Sequence, residues 1–180
     1  MGRQDAPLKL VIYEDFQCPF CLFYNAFVEP SLVASWVDTN QLQIEFRHFI
    51  VLGNESAAAA IASQCAADQE AFWEYHRALF LAQARAGQLS GEQINVGRFS
   101  VEELKRHAAD LGLDAGRFDA CLDDQASLEL LAQQEQTAHG LGVTGTPTFF
   151  LNEQVVRPAP STVEEWNLLL LEAIGELTGD

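Results

Sequence analysis

Apolar and polar positions change rhythm several times along the chain, and each change predicts an element. Leu8, Leu10, Val11, Ile12 and Tyr13 form a short apolar run rich in strand-favouring residues, and helical spacing takes over from about Phe20. Phe23, Phe27, Leu32 and Trp36 extend that helix, while Pro30 predicts a kink or break near residues 26–30. Leu42, Ile44 and Phe46 alternate with Gln43, Glu45 and Arg47, which is the pattern of a half-buried strand. Strand, helix and strand in this order predict a parallel βαβ unit.

From Asn54 to about Gln125 the period is helical throughout. Ala57 to Ala67 is alanine-rich and carries Ile61 and Cys65 one turn apart, Phe72, His76, Leu79 and Phe80 mark a second helix, and Gly87 to Gly97 reads as a polar loop. Ser100 with Glu103 predicts a capping box, Phe99 with Leu104 a hydrophobic staple, and Asp114 the cap of a short helix bearing Cys121. Leu128, Leu131, Ala132 and Ala138 predict a helix that stops at Gly140. A glycine-rich turn, Pro147 and a strand follow, with Gln154 to Val156 folding back through Asn152 and Glu153. Ser161 with Glu164 reads as the cap of a last helix whose core stripe is Val163, Trp166, Leu170, Ile174 and Leu177, and the last three residues are expected to fray. The chain thus divides into residues 1–53, an all-helical insertion over 54–125, and residues 126–180.

Composition narrows the function. With 180 residues, 48% of them hydrophobic, the chain should bury about 70% of its unfolded surface without needing disulfides to fold. Its 26 acidic and 10 basic residues leave a net charge of −16, which argues against nucleic acid and anionic membranes as partners and reads most simply as a solubility feature. No apolar run is expected to reach the length of a membrane span, and residues 1–7 have no signal-peptide core, so the protein is either cytosolic or its signal has been removed. Four cysteines, only two of them in a reactive motif, favour an oxidising compartment.

Cys18-Pro19-Phe20-Cys21 lies where the first strand runs into the first helix. A cysteine at a helix N-terminus meets unpaired N–H groups and the positive end of the helix dipole, which stabilise a thiolate, so Cys18 should be acidic and reactive. Pro19 suits helix initiation because no N–H is needed there, and Cys21, one turn further in, can reach Cys18. Zinc would require a second ligand pair at metal spacing. Cys65, Cys121, His48, His76, His107 and His139 are instead scattered singly, so neither a metal nor another cofactor is expected.

The Asp15-Phe16-Gln17-Cys18-Pro19-Phe20-Cys21 stretch, Phe72-Trp73-Glu74-Tyr75-His76 with Leu79-Phe80, and Val143-Thr144-Gly145-Thr146-Pro147-Thr148 together resemble the DsbA-like thiol-disulfide oxidoreductases of the thioredoxin superfamily. The resemblance runs from Leu8 to Leu177. It implies an α/β thioredoxin-like fold with the helical insertion as a subdomain, a cis Pro147 against the cysteines, and a substrate-binding edge of Thr146 and Pro147 beside Pro19 and Phe20. It also implies Cys18 as nucleophile and Cys21 as resolver. The substrates would be unfolded or partly folded proteins with thiols, in the periplasm or another extracytoplasmic space, served by a monomer and a membrane quinone-linked reoxidase. Phe20 stands where the strong oxidants of the family have histidine, so a weaker oxidant is expected. The family's buried acid six residues before the nucleophile is replaced by Ile12, and Glu14, on the same strand face, is the candidate proton relay in its place.

Cys65 and Cys121 have no motif. Each falls on the apolar side of a helix in the insertion, which points to a structural disulfide between them, with two buried free thiols as the alternative. His48 and His76 are given no role. The rival functions are a reductase or isomerase of the same chemistry, a non-enzymatic thioredoxin-like binding module, and a glutathione-linked isomerase, which usually has serine in place of the nucleophile.

Overall fold

Strand β1 (Leu8–Glu14) is buried along nearly its whole length because it lies inside a four-stranded sheet of order β2-β1-β3-β4. Its parallel neighbour β2 (Leu42–His48) places Leu8 opposite Leu42 and Glu14 opposite His48, and its antiparallel neighbour β3 (Thr148–Leu151) places Ile12 opposite Phe149. Strand β4 (Gln154–Val155) completes the hairpin through Asn152 and Glu153, both at positive φ as a tight two-residue turn requires. The computed structural model describes residues 1–91 and 93–178; of the three residues expected to fray, Thr178 still belongs to the last helix, and Gly179 and Asp180 lie outside the described residues.

The parallel crossover is interrupted. Helix α1 (Pro19–Phe27) stops at Val28, and α2 (Glu29–Leu32) restarts with Pro30 in its first turn, where the missing N–H costs nothing. A π-helical turn over Val33–Val37 then leads to β2. Taken together, Pro19–Val37 has the length and apolar character of a short membrane span, contrary to the expectation that no run would reach it. In this fold Tyr24, Val28, Leu32, Trp36 and Val37 pack on one sheet face with Leu10, Ile12, Phe149 and the Trp166 and Leu170 of helix α8 (Val163–Thr178).

The other sheet face meets helix α7 (Gln125–Gly140), where Ala138 joins Tyr13, Phe49, Val143 and Phe150. Gln134 and Glu135 of α7 also accept hydrogen bonds from the N–H groups of His48 and Ile50 at the end of β2. Helices α3 (Asn54–Ala67), α4 (Phe72–Arg85), α5 (Val101–Asp110) and α6 (Ala115–Leu122) build a second core in which Phe16, Cys18, Cys21 and Leu22 take part. The cysteine motif therefore sits on the seam between the sheet layer and this helical cap. Cys65 and Cys121 are joined in a disulfide that ties α3 to α6.

Local details shift several sequence expectations. Ser100 accepts from the Glu103 N–H, but the Glu103 carboxylate turns to Arg106 instead of closing the box. In α8 the box is Thr162 with Glu165, one position on from the expected Ser161 and Glu164: Thr162 accepts from the Glu165 N–H and the Glu165 carboxylate accepts from the N–H groups of Ser161 and Thr162. Leu177, expected in the core stripe, is exposed and lines an open cleft with Leu151 and Val155. The polar loop after α4 contains a 3-10 turn over Gln88–Ser90, whose Gln88 side chain is buried.

Candidate active site

Cys18 is the N-cap of α1, so its sulfur faces the first N–H groups of the helix, as the strand-to-helix junction predicts. It is 4% exposed, and Cys21 is wholly buried one turn below it. Both are free thiols. The Cys18 thiol is brought down to about 7, first by the hydrogen bond from Cys21, against the opposing effect of burial, with Thr146 and the N–H groups of Cys21 and Phe20 adding to the lowering. Burial, the Cys18 sulfur and the Glu14 charge all push Cys21 well above the ordinary thiol range. One helical turn thus separates an acidic sulfur from a reluctant one.

The loop after α7 presses against this pair. The Thr146-Pro147 peptide is cis, and the Cys18 thiol donates to the Thr146 carbonyl at 3.3 Å. The Thr146 hydroxyl is buried without another partner and is free to turn toward a Cys18 thiolate. Thr146 can therefore serve both protonation states of the sulfur, through its carbonyl and its hydroxyl respectively. A second cis bond, Arg157-Pro158, was not foreseen and lies after the β4 strand, away from the thiols.

Around Cys18 the surface is apolar. Phe20 is 72% exposed, Phe23 and Phe27 follow on the same side of α1, and an open cleft of ≈ 390 Å³ runs between Phe20, Phe23, Val28, Pro147, Phe149 and Pro160. The helical spacing that includes Phe23 and Phe27 does not say which way they face. They face outward because Leu22 and Tyr24 take the buried side of α1.

Glu14 reaches the site from below. Its carboxyl is fully buried, accepts from Asn25 Nδ2 at 2.7 Å, and has its second oxygen 3.5 Å from His76 Nε2, too loose for a good hydrogen bond. Burial, then the charge of Glu29, hold Glu14 well above the usual carboxylate range, while Asn25 works against them. Burial pushes His76 down to about 3, so the ring is neutral and the contact with Glu14 is not an ion pair at neutral pH. The same Asn25 Nδ2 donates to the Cys21 carbonyl, linking the acid to the turn that carries the inner thiol.

Asp15, which the sequence places in the motif without a role, fixes the loop. Its carboxylate accepts from the N–H groups of Gln17, Val51 and Leu52 and from the Ser56 hydroxyl at 2.6–2.9 Å. Gln83 and Gln88 donate to the carbonyls of Phe16 and Gln17, and Arg98 donates to both glutamines. An aspartate two residues before a free N–H at the end of a strand is a turn signal that could have marked Asp15 in advance. The glutamines carry no such signal. Among the described residues there is no group of three or more His, Cys, Asp or Glu side chains placed to hold a metal ion.

A protein-family model described as thioredoxin matches residues 1–171. The probable disulfide bond formation protein D of Bacillus anthracis is 26% identical over 163 residues, covering 88% of this chain and 71% of that protein. The Na(+)/H(+) antiporter NhaA 3 of Salinispora tropica is 33% identical over 153 residues, and there the match spans 84% of this chain but only 21% of the relative. Among solved structures, oxidised BdbD from Bacillus subtilis superposes with a TM-score of 0.82 at 22% identity, covering 96% of this chain and 90% of that one.

Proposed function

The chain belongs to the thioredoxin family, in its DsbA-like branch, and from that premise we propose that it is a thiol-disulfide oxidoreductase that introduces disulfides into unfolded or partly folded proteins. One observation carries the proposal: an acidic Cys18 at a helix N-terminus, in contact with the residue before a cis proline and bordered by exposed apolar surface. In the oxidised protein a substrate thiolate attacks Cys18 Sγ. The Cys18–Cys21 bond breaks, a mixed disulfide forms, and the electron pair leaves on Cys21. A second substrate thiolate then attacks the substrate sulfur of the mixed disulfide, expelling Cys18 as a thiolate and releasing the substrate with its own disulfide. Cys18 is the better leaving group because its thiolate is the stabilised one.

Thr146 and Pro147 present backbone edge to an extended substrate, while Pro19 and Phe20 form the opposite lip. Glu14 supplies the proton that the buried Cys21 needs when it leaves as a thiolate, its neutral form being favoured where it stands. The disulfide Cys65–Cys121 is structural, since it lies in the helical insertion and its sulfurs are not those of the reactive pair. Residues 1–53 and 126–180 act as one thioredoxin-like domain and 54–125 as its cap, a division supported by the single sheet that the outer segments share. The protein acts as a monomer in an extracytoplasmic, periplasm-like compartment and is reoxidised by a membrane quinone-linked oxidase.

A second reading, net reduction or isomerisation, is favoured by one value. Cys18 at about 7 stands at the weakly oxidising end of the range of about 3.5–7.5 found for such cysteines. Equilibration in glutathione buffers of graded poise, with thiols counted by alkylation and mass spectrometry, decides between them. Oxidation of Cys18 and Cys21 only in oxidising buffers supports the oxidant, and oxidation already in strongly reducing buffers supports the reductase. A Cys18→Ser variant that still exchanges disulfides would refute both.

A further inference from the structure

Behind the reactive turn, on the side of α1 away from Phe20, lies a second open cleft of ≈ 430 Å³ between α1, α2, the π-helical turn and α4. Leu22, Pro30, Phe80 and Leu81 make most of it apolar, yet Asn25, Glu29 and His76 are set into its wall. Asn25 spends its Nδ2 on Glu14 and the Cys21 carbonyl, yet the three side chains together keep polar atoms to spare. Asn25 Oδ1, Glu29 Oε2 and both nitrogens of His76 are buried without a hydrogen-bond partner, although Glu29 is only 5% exposed and His76 wholly buried. Leaving a buried carboxylate oxygen and an imidazole unpaired is costly unless water or a proton is exchanged there. A cleft of this size admits several waters.

We propose that this cleft is a proton passage between solvent and the Cys18–Cys21 pair, with Glu29 as its outer carboxyl, Glu14 as its inner carboxyl, and His76 and cleft water between them. The inference rests on the exchange reaction and the Glu14 role given above, and adds the route by which Glu14 regains its proton. When the Cys18–Cys21 bond breaks, Cys21 takes the electron pair and then the Glu14 proton. Glu14, left as a carboxylate 3.5 Å from the neutral His76 ring, is reprotonated through the cleft by the Glu29 carboxyl, which refills from bulk water. In the reverse direction the proton leaves the same way.

The surroundings of Glu29 suit an outer carboxyl. Burial raises it to about 7, while Arg77 on α4 and the Met1 amino group oppose the rise. Glu14 on β1 and Tyr24 on α1 also face it through its field, Asp38 stands at the cleft wall, and His76 is neutral. The side chain thus holds a proton below neutrality and releases it above.

The test compares wild type with Glu29→Gln in single-turnover reduction of the oxidised protein by a cysteine-containing peptide, quenched with acid and read by alkylation and mass spectrometry between pH 5 and 9. The ratio of the two rates cancels the ionisation of the peptide thiol. That ratio should be about tenfold below pH 6, smaller than for an acid acting directly, and fall to near one above pH 8. Glu29→Asp should restore most of the loss, and sodium acetate should restore Glu29→Gln in proportion to its concentration. A ratio of one at every pH overturns the proposal, as does a pH-independent loss that acetate does not repair. If Glu29→Gln fails to fold, Ala34→Phe at the exposed lip should fill the cleft and slow the reaction below pH 6 with no repair by acetate, and a ratio of one at every pH again overturns the proposal. Failure of the underlying exchange chemistry is separately visible, since the wild type would then form no mixed disulfide between Cys18 and the peptide in the acid-quenched samples at any pH.

Discussion

Replacing Thr146 with valine removes one hydroxyl and little else, because the two side chains have the same shape and the Thr146 carbonyl that receives the Cys18 thiol stays in place. The hydroxyl is one of the groups that lower Cys18, and it has no other partner. A hydrogen bond to a charged group contributes about 1.5–3 kcal/mol, and one pKa unit corresponds to about 1.4 kcal/mol, so the Cys18 thiolate should lose about one to two units of acidity. With Cys18 at about 7, half of it is thiolate at pH 7. The valine variant would hold about a tenth or less. At pH 7, where only half of Cys18 is thiolate, this loss destabilises the reduced form by about 0.4 kcal/mol and makes the protein more reducing by about 10 mV, rising to about 1.4 kcal/mol and about 30 mV or more once the pH exceeds both ionisations. Thiolate absorbance in the far ultraviolet, or the pH dependence of iodoacetamide alkylation, gives the acidity directly, and glutathione equilibration gives the potential. If Thr146→Val keeps its Cys18 ionisation near 7, the loop before Pro147 does not tune the nucleophile and the account of the site is wrong.

Three further outcomes follow from buried groups. Breaking the bridge in a Cys65→Ala, Cys121→Ala double variant opens a loop with a separation of 56 residues, which should cost about 4 kcal/mol in urea unfolding and leave the thiolate spectrum of Cys18 unchanged. Glu14 is held neutral in the folded protein, so the stability it contributes is complete below its unfolded value and is lost as pH rises toward its raised folded value. Glu14→Gln should therefore unfold at higher urea than wild type at pH 8, match it near pH 4, and exchange disulfides more slowly; equal stability at pH 8 would count against a buried, strained acid. His48 is depressed to about 3, so its stabilisation is present above its unfolded value of about 6.5 and is lost as pH falls. His48→Gln should gain on wild type by about 3 kcal/mol between pH 6.5 and 4, as followed by urea midpoints.

Period and spacing made the reactive pair legible because the chemistry of Cys18 depends on a neighbouring helix terminus that the sequence itself announces. The β3–β4 hairpin and the caps at Ser100 and Asp114 were legible for the same reason, each being decided within a few residues. Thr146 and Glu14 were reached by likeness to a family, not by periodicity. What stayed hidden depends on contacts across long stretches of chain. Asp15 meets Val51, Leu52 and Ser56, Gln83 meets Phe16, and His76 meets Glu14, and no pattern along a helix distinguishes a buried glutamine that holds a loop from one facing water. The outward turn of Phe23 and Phe27 was hidden in another way, since an apolar stripe looks alike whether it faces a core or a groove.

The bared aromatic side of α1 also bears on how copies of this molecule treat one another. Phe20, Phe23 and Phe27 would be sticky in a neutral protein, and two copies meeting there would cover the apolar surface beside Cys18. A net charge of −16 opposes that encounter at a distance set by the ionic medium, about 8 Å at 0.15 M salt and about 3 Å at 1 M. Dilute buffer therefore keeps each molecule available to strangers, whereas strong brine would let it turn on its own kind.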